Sequence, residues 1–146
     1  MAHNVSRLLV IEDNDGDLFL IEKAIRDYNI QAQLTVCTDG EAAVRLLDSV
    51  DVDTRPDAII VDLALPRIEG LDVLRAILSR PVLVGTPIMI FTSSPSPSDK
   101  HRVELLGGAR YVQKPSGVDT FLRSVGENVQ AMLRASDNRT DGKRLP

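Results

Sequence analysis

Ala58-Ile59-Ile60-Val61-Asp62-Leu63-Ala64-Leu65-Pro66 decides how this chain folds: four strand-forming apolar residues in a row end abruptly on a carboxylate. A short continuous apolar run bounded by turn residues fits a strand buried on both faces. An acid on the last position of a core strand sits at the mouth of the fold, where a ligand reaches it and bulk water is partly excluded. A helix cap or solvated turn is the ordinary explanation of a lone acid, so Asp62 needs neighbours before it becomes a site.

Working outward, the same pattern recurs on both sides. Leu8-Leu9-Val10-Ile11 stops at Glu12-Asp13-Asn14, and Ile88-Met89-Ile90-Phe91 stops at Thr92-Ser93-Ser94-Pro95. The half-exposed alternation in Gln33–Cys37 fits a strand near a sheet edge, and Arg110-Tyr111-Val112 is the shortest strand, ended by Lys114-Pro115. Between these runs the apolar residues recur at helical spacing. Asn14 caps a first helix carrying Leu18, Ile21 and Ile25; Thr38-Asp39-Gly40-Glu41 reads as a capping box for a second with Ala43, Leu46, Leu47 and Val50. Pro66 and Gly70 bracket a turn before Leu71, Leu74 and Leu78, a third helix that ends before Pro81. Ser96-Pro97-Ser98-Asp99 starts a fourth, and Val118, Leu122, Val125, Val129 and Met132 mark a fifth.

Five repeats of strand then helix demand a parallel sheet with helices on both faces. The expected architecture is α/β, flavodoxin-like, with strand order 2-1-3-4-5. The 146 residues suffice for one domain, expected over 1–135, and the polar composition from Ser136 onward suggests a flexible tail over 136–146.

With 43% apolar and 26% charged residues and a formal net charge of -4, the composition is that of a soluble globular protein and argues against nucleic acid as a partner. The single cysteine, Cys37, has no second thiol for a disulfide or a metal, which fits a reducing compartment. The apolar runs near the N-terminus are too short for a signal peptide or a membrane span. A cytoplasmic protein is expected.

In an open parallel sheet, ligands bind beyond the carboxyl ends of the strands, where strand order reverses. The unusual residues gather there: Glu12 and Asp13 after the first strand, Asp62 after the third, Thr92 at the end of the fourth, Lys114 after the fifth. Two carboxylates ~4 Å apart repel by roughly 4 kcal/mol at an effective dielectric near 20, so three of them with one ammonium invite a divalent cation. Oxygen-only donors select Mg²⁺ or Mn²⁺ over zinc. Asp13 and Asp62 are expected as direct ligands, the Ala64 carbonyl as a third, and Glu12 through water. An aspartate held in this way is a competent nucleophile toward an activated phosphoryl group, with Lys114 and the Thr92 hydroxyl placed to meet its oxygens.

Glu12-Asp13-Asn14, Val61-Asp62-Leu63 with Pro66 and Gly70, Phe91-Thr92-Ser93, and Gly108-Ala109-Arg110-Tyr111-Val112-Gln113-Lys114-Pro115 occur in the order found in response-regulator receiver domains, which the chain resembles over residues 6 to 134. The resemblance implies a phosphoacceptor switch rather than an enzyme: a histidine kinase passes its phosphoryl group to Asp62, Thr92 moves toward the phosphate, and Tyr111 rotates inward. That changes the surface of the fourth helix, fifth strand and fifth helix, through which a protein target or phosphotransfer partner is addressed and a homodimer is one expectation. Slow self-dephosphorylation is implied as well. The Glu-Asp-Asn-Asp-Gly-Asp start, Thr-Ser-Ser and Lys-Pro-Ser resemble the single-domain regulators paired with bacterial phytochrome kinases, which implies a phytochrome-type partner. Those relatives often carry asparagine where this chain has Ala64, two residues past the acceptor, a difference that bears on phosphate hydrolysis. A pseudo-receiver, which keeps the fold as an interaction module without the chemistry, is the alternative. A flavin carrier on this fold is disfavoured, because the acids of 12–15 would repel a cofactor phosphate.

Overall fold

The computed structural model describes residues 5–143, with side chains as far as Asp137. Its elements alternate as the apolar runs suggest: β1 (Ser6–Ile11), α1 (Asp15–Asp27), β2 (Ala32–Cys37), α2 (Gly40–Asp48), β3 (Ala58–Val61), α3 (Gly70–Leu78), β4 (Ile88–Thr92), α4 (Pro97–Leu106), β5 (Arg110–Gln113) and α5 (Val118–Lys143). The five strands pair in parallel in the order β2-β1-β3-β4-β5, the flavodoxin-like topology expected from the sequence.

Alternation along the three central strands sorts their side chains into two apolar layers. Leu9, Ile11, Ile59, Val61, Ile88 and Ile90 pack with α2, α3 and Val103 of α4. Their neighbours Leu8, Val10, Ala58, Ile60, Met89 and Phe91 pack on the other face with Ile21, Ala24 and Ile25 of α1 and Phe121, Val125, Val129 and Met132 of α5. Phe91 and Phe121 meet edge to face, ring centroids 5.1 Å apart. Because both faces are covered, β3 reads as a pure apolar run.

The caps follow local chemistry. Asn14 accepts the Asp17 N–H at 2.8 Å and Ser96 accepts the Asp99 N–H at 3.3 Å, the starts read from the sequence for α1 and α4. At α2 the cap is Asp39, which accepts the Ala42 N–H at 2.7 Å, one residue later than the expected capping box on Thr38. Thr38 and Asp39 are both good caps, and the docking of the next residue, Gly40, on the β3–α3 loop sets the choice. A 3₁₀ turn at Pro81–Leu83, not foreseen, carries the chain from α3 to β4.

α5 continues where a flexible tail was expected. The helix runs through 136–143, and Ser136 is only 2% exposed, extending the buried stripe one turn past Met132. Residues 144–146 of that stretch, like residues 1–4 of the expected domain, lie outside the described residues. Among the described residues no helix is long and apolar enough to cross a membrane.

Two close approaches fix the loop that follows β3. A Cβ on Gly70 would collide with the Asp62 carbonyl oxygen and come within 2.6 Å of Leu63 Cα. One on Gly40 would strike the Ile68 carbonyl oxygen and come within 2.7 Å of Ile68 Cβ. The Gly40 N–H donates to the Pro66 carbonyl, and Arg67, at φ 72, faces Asp39 and Glu41 at 3.8 and 3.7 Å. Gly70→Ala pushes on backbone, which cannot yield as a side-chain tip does. It is expected to cost about 1–3 kcal/mol, read as a lower midpoint of urea unfolding; an unchanged midpoint would show that the loop gives way freely.

Candidate functional site

Register and parity bring the acids together. β1 and β3 pair with Ile11 beside Val61, so the next residues, Glu12 and Asp62, leave the sheet side by side. Each continues the alternation of the layer formed by Leu8, Val10, Ala58 and Ile60, which turns both toward the α1–α5 face. β4 and β5 pair with Thr92 beside Gln113, and Lys114 follows, its N–H donating to the Thr92 carbonyl at 2.7 Å.

The Lys114 ammonium is the centre of the arrangement. It donates to Glu12 Oε1 at 2.6 Å, to Asp17 Oδ2 at 2.7 Å and to Asp62 Oδ2 at 2.8 Å. Its side chain is 7% exposed, and its Nζ lies 5.9 Å from the centre of the Phe91 ring. The second oxygens of the two buried acids are also held: the Ala64 N–H donates to Asp62 Oδ1 at 3.1 Å and the Asn14 N–H to Glu12 Oε2 at 3.2 Å. Asp62 is thereby oriented from both sides. Removing one partner from a buried, hydrogen-bonded charge group of this kind typically costs about 3–5 kcal/mol.

The expected site residues are thus brought together for Glu12, Asp13, Asp62 and Lys114. Carboxylate oxygens of Glu12, Asp13 and Asp62 all lie within 4.8 Å of one another, with Asp13 exposed and the other two buried. Thr92 is 1% exposed and lines a cleft of ≈360 Å³ with Ala64, Ser93, Ser94 and Arg102. Its hydroxyl oxygen accepts the Ser94 N–H at 3.3 Å. Tyr111 stands on β5 with its hydroxyl donating to the Ser94 carbonyl at 3.0 Å, so the ring is tied to the β4–α4 loop.

Two participants were not anticipated. Asp17 was legible only as the acid in the first turn of α1, yet its carboxylate reaches Lys114, 97 residues along the chain. Ser94 is the hub of the β4–α4 loop: beside the contacts above, its hydroxyl donates to Asp99 at 2.8 Å. Its place two residues past the buried Thr92 was the available signal.

With Asp17 counted, four carboxylates (Glu12, Asp13, Asp17, Asp62) face one ammonium, a formal charge of -3 if all are ionised. Burial pushes the Glu12 carboxyl from 4.5 up to about 7; the hydrogen bond from Lys114 opposes the rise and the charge on Asp62 adds to it. Burial works against the Lys114 charge too, but the hydrogen bonds to Asp17, Asp62 and Glu12 outweigh it and hold the ammonium above its ordinary pKa. A hard divalent cation fits here: the donors are all oxygens, they converge, and the negative charge is in excess.

A family model, the response regulator receiver domain, matches residues 8–126. Response regulator Rcp1 of Synechocystis sp. (strain ATCC 27184 / PCC 6803 / Kazusa) is 30% identical over 95 residues, 63% of this chain and 65% of that protein. The chain spans 33% to 54% of longer curated relatives. Among solved structures, the phosphorylated cyanobacterial phytochrome response regulator RcpA superimposes with a TM-score of 0.82 at 26% identity, over 89% of this chain and 95% of that one. The Mn²⁺-bound form of Rcp1 gives 0.76 at 26% identity, over 84% and 90%.

The raised Glu12 pKa has a consequence for stability. The folded chain keeps a proton on Glu12 between 4.5 and about 7 that the unfolded chain releases. The stability from this group is fully present below the lower value and is lost as pH rises through the upper one. In EDTA the melting temperature is expected to fall between about pH 5 and about pH 8, with a shallower slope for Glu12→Gln; equal slopes would contradict the assignment.

Proposed function

The chain belongs to the response regulator receiver domain family, and we propose that it works as a phosphorylation switch whose acceptor is Asp62, charged by a histidine kinase. The observation that carries this reading is Asp62 itself, 5% exposed at the end of β3, its two oxygens held by the Ala64 N–H and the Lys114 ammonium. In the transfer an Asp62 oxygen attacks phosphorus, the N–P bond of the kinase phosphohistidine breaks, and its electron pair stays on the imidazole nitrogen. Lys114 already sits where negative charge accumulates, and Thr92 offers a hydroxyl from the neighbouring strand. Asp13, Asp62 and the Ala64 carbonyl, with Glu12 through water, are the groups that would hold Mg²⁺ or Mn²⁺, which when bound neutralises charge on the transferring oxygens.

The likeness to a cyanobacterial phytochrome response regulator supports a phytochrome-type kinase as the partner. The output runs through the surface of α4, β5 and α5. Tyr111 ties β5 to the Ser94 carbonyl at the site, and Leu105 and Val118 are 72% and 55% exposed on the flanking helices. A protein target or a second copy of the chain would meet this face. Ala64 leaves the cleft beside Asp62 without a side-chain amide, which bears on how fast water removes the phosphate.

Incubation with acetyl phosphate and Mg²⁺ is expected to add one phosphoryl group by mass spectrometry, and Asp62→Asn to abolish it; undiminished labelling of that variant would sink the reading. Sedimentation with and without the phosphodonor is expected to show a heavier species on phosphorylation, and a monomer under both conditions would remove the dimer from it.

A further inference from the structure

An ammonium has three N–H donors and no acceptor. Here the three go to carboxylates from three separate segments: Glu12 past β1, Asp17 in α1, and Asp62 past β3. Glu12 and Asp62 lie in the acceptor site; Asp17 lies outside it, yet its contact is as short as theirs. Its position is built. The Asp17 N–H is held by Asn14 at 2.8 Å, which fixes the first turn of α1, and a two-torsion side chain carries the carboxylate from there to Lys114.

We propose that Asp17 is a positioning residue for phosphoryl transfer, anchoring the Lys114 ammonium from the α1 side so that it stays beside Asp62 while the phosphoryl group arrives. The inference rests on the phosphoacceptor reading of Asp62. When Asp62 becomes an acyl phosphate, the hydrogen bond it accepted from Lys114 passes to a phosphoryl oxygen. Two anchors remain, and Glu12 shares its carboxylate with the Asn14 N–H and the acidic cluster. Asp17 has no such second demand among the hydrogen bonds of the described residues; its carboxylate is given to Lys114.

Open space makes the anchor matter. Asp17 and Lys114 line a cleft of ≈370 Å³ together with Leu20, Ser116 and Phe121. Without Asp17, the long flexible stem of Lys114 has that volume to swing into, and a displacement of an ångström at a reacting centre is enough to slow it strongly.

Position and charge make opposite predictions. If Asp17 acted only through its negative charge, removing it would lessen repulsion of an anionic donor, and both Asp17→Asn and Asp17→Ala would take label faster. As an anchor, Asp17→Ala is expected to slow labelling by acetyl phosphate with Mg²⁺ about tenfold, while Asp17→Asn, which keeps an oxygen acceptor, recovers most of the rate. A second readout needs neither metal nor phosphodonor. The ammonium ¹H–¹⁵N signal of Lys114, sharp in the wild type because its hydrogens are held, is expected to persist in Asp17→Asn and to broaden beyond detection in Asp17→Ala. Faster labelling of both variants, or a wild-type rate and ammonium signal in Asp17→Ala, overturns the anchor while leaving Asp62 as acceptor. A wild type that takes no label overturns the acceptor reading and this inference with it.

Discussion

One buried ammonium holds the business end of this molecule together. Lys114 joins the ends of β1, β3 and β5 to the first turn of α1, bound by Glu12, Asp17 and Asp62, with Asp13 clustered against Glu12 and Asp62. Such a group is unstable in two senses. Without Lys114, the carboxylates would repel one another in a poorly hydrated space; with it, one negative charge is cancelled and the excess remains. The excess is what a divalent cation or an altered Asp62 can act upon. The site is organised by a charge imbalance that the fold tolerates rather than removes.

The imbalance is tolerable because everything beneath it is apolar and closely packed. Phe91, adjacent in sequence to Thr92, is fully buried against Phe121, and Val61 beneath Asp62 is fully buried in the opposite layer. The strands therefore act as rigid posts, and the polar groups at their tips inherit positions set by the core. The β3–α3 loop adds a second constraint, since Gly40 and Gly70 let backbone approach backbone where any side chain would intervene. The β4–α4 loop is held differently, by side chains: Ser94 gathers contacts from Thr92, Tyr111 and Asp99.

Much of this was legible in the sequence, for identifiable reasons. The alternation of strand and helix follows from five apolar runs and their connection lengths, and once the flavodoxin-like order is taken for the sheet, Glu12, Asp13, Asp62 and Lys114 converge at its carboxyl end. Asp17 escaped because its local role was sufficient: an acid in the first turn of a capped helix already has an explanation, and its contact with Lys114, 97 positions along the chain, exists only once the sheet has formed. Asp39 replaced Thr38 as a cap because tertiary docking of Gly40 outweighed a near-equal local preference. α5 ran past Ser136 because a small hydroxyl can be buried where composition alone suggests solvent.

Parity also says where this chain tolerates changes of length. Glu12 and Asp62 face the same layer only because each stands an even number of residues from the core positions Val10 and Ile60. One residue inserted into β1 or β3 would turn that acid toward the α2–α3 layer and replace it at the site with an apolar neighbour. The stretches 51–57 and 79–87 enter the sheet at its opposite end and carry no such phase. Insertions and deletions among natural variants should therefore accumulate at that end, while the segments between core and site keep their lengths even as their apolar residues exchange.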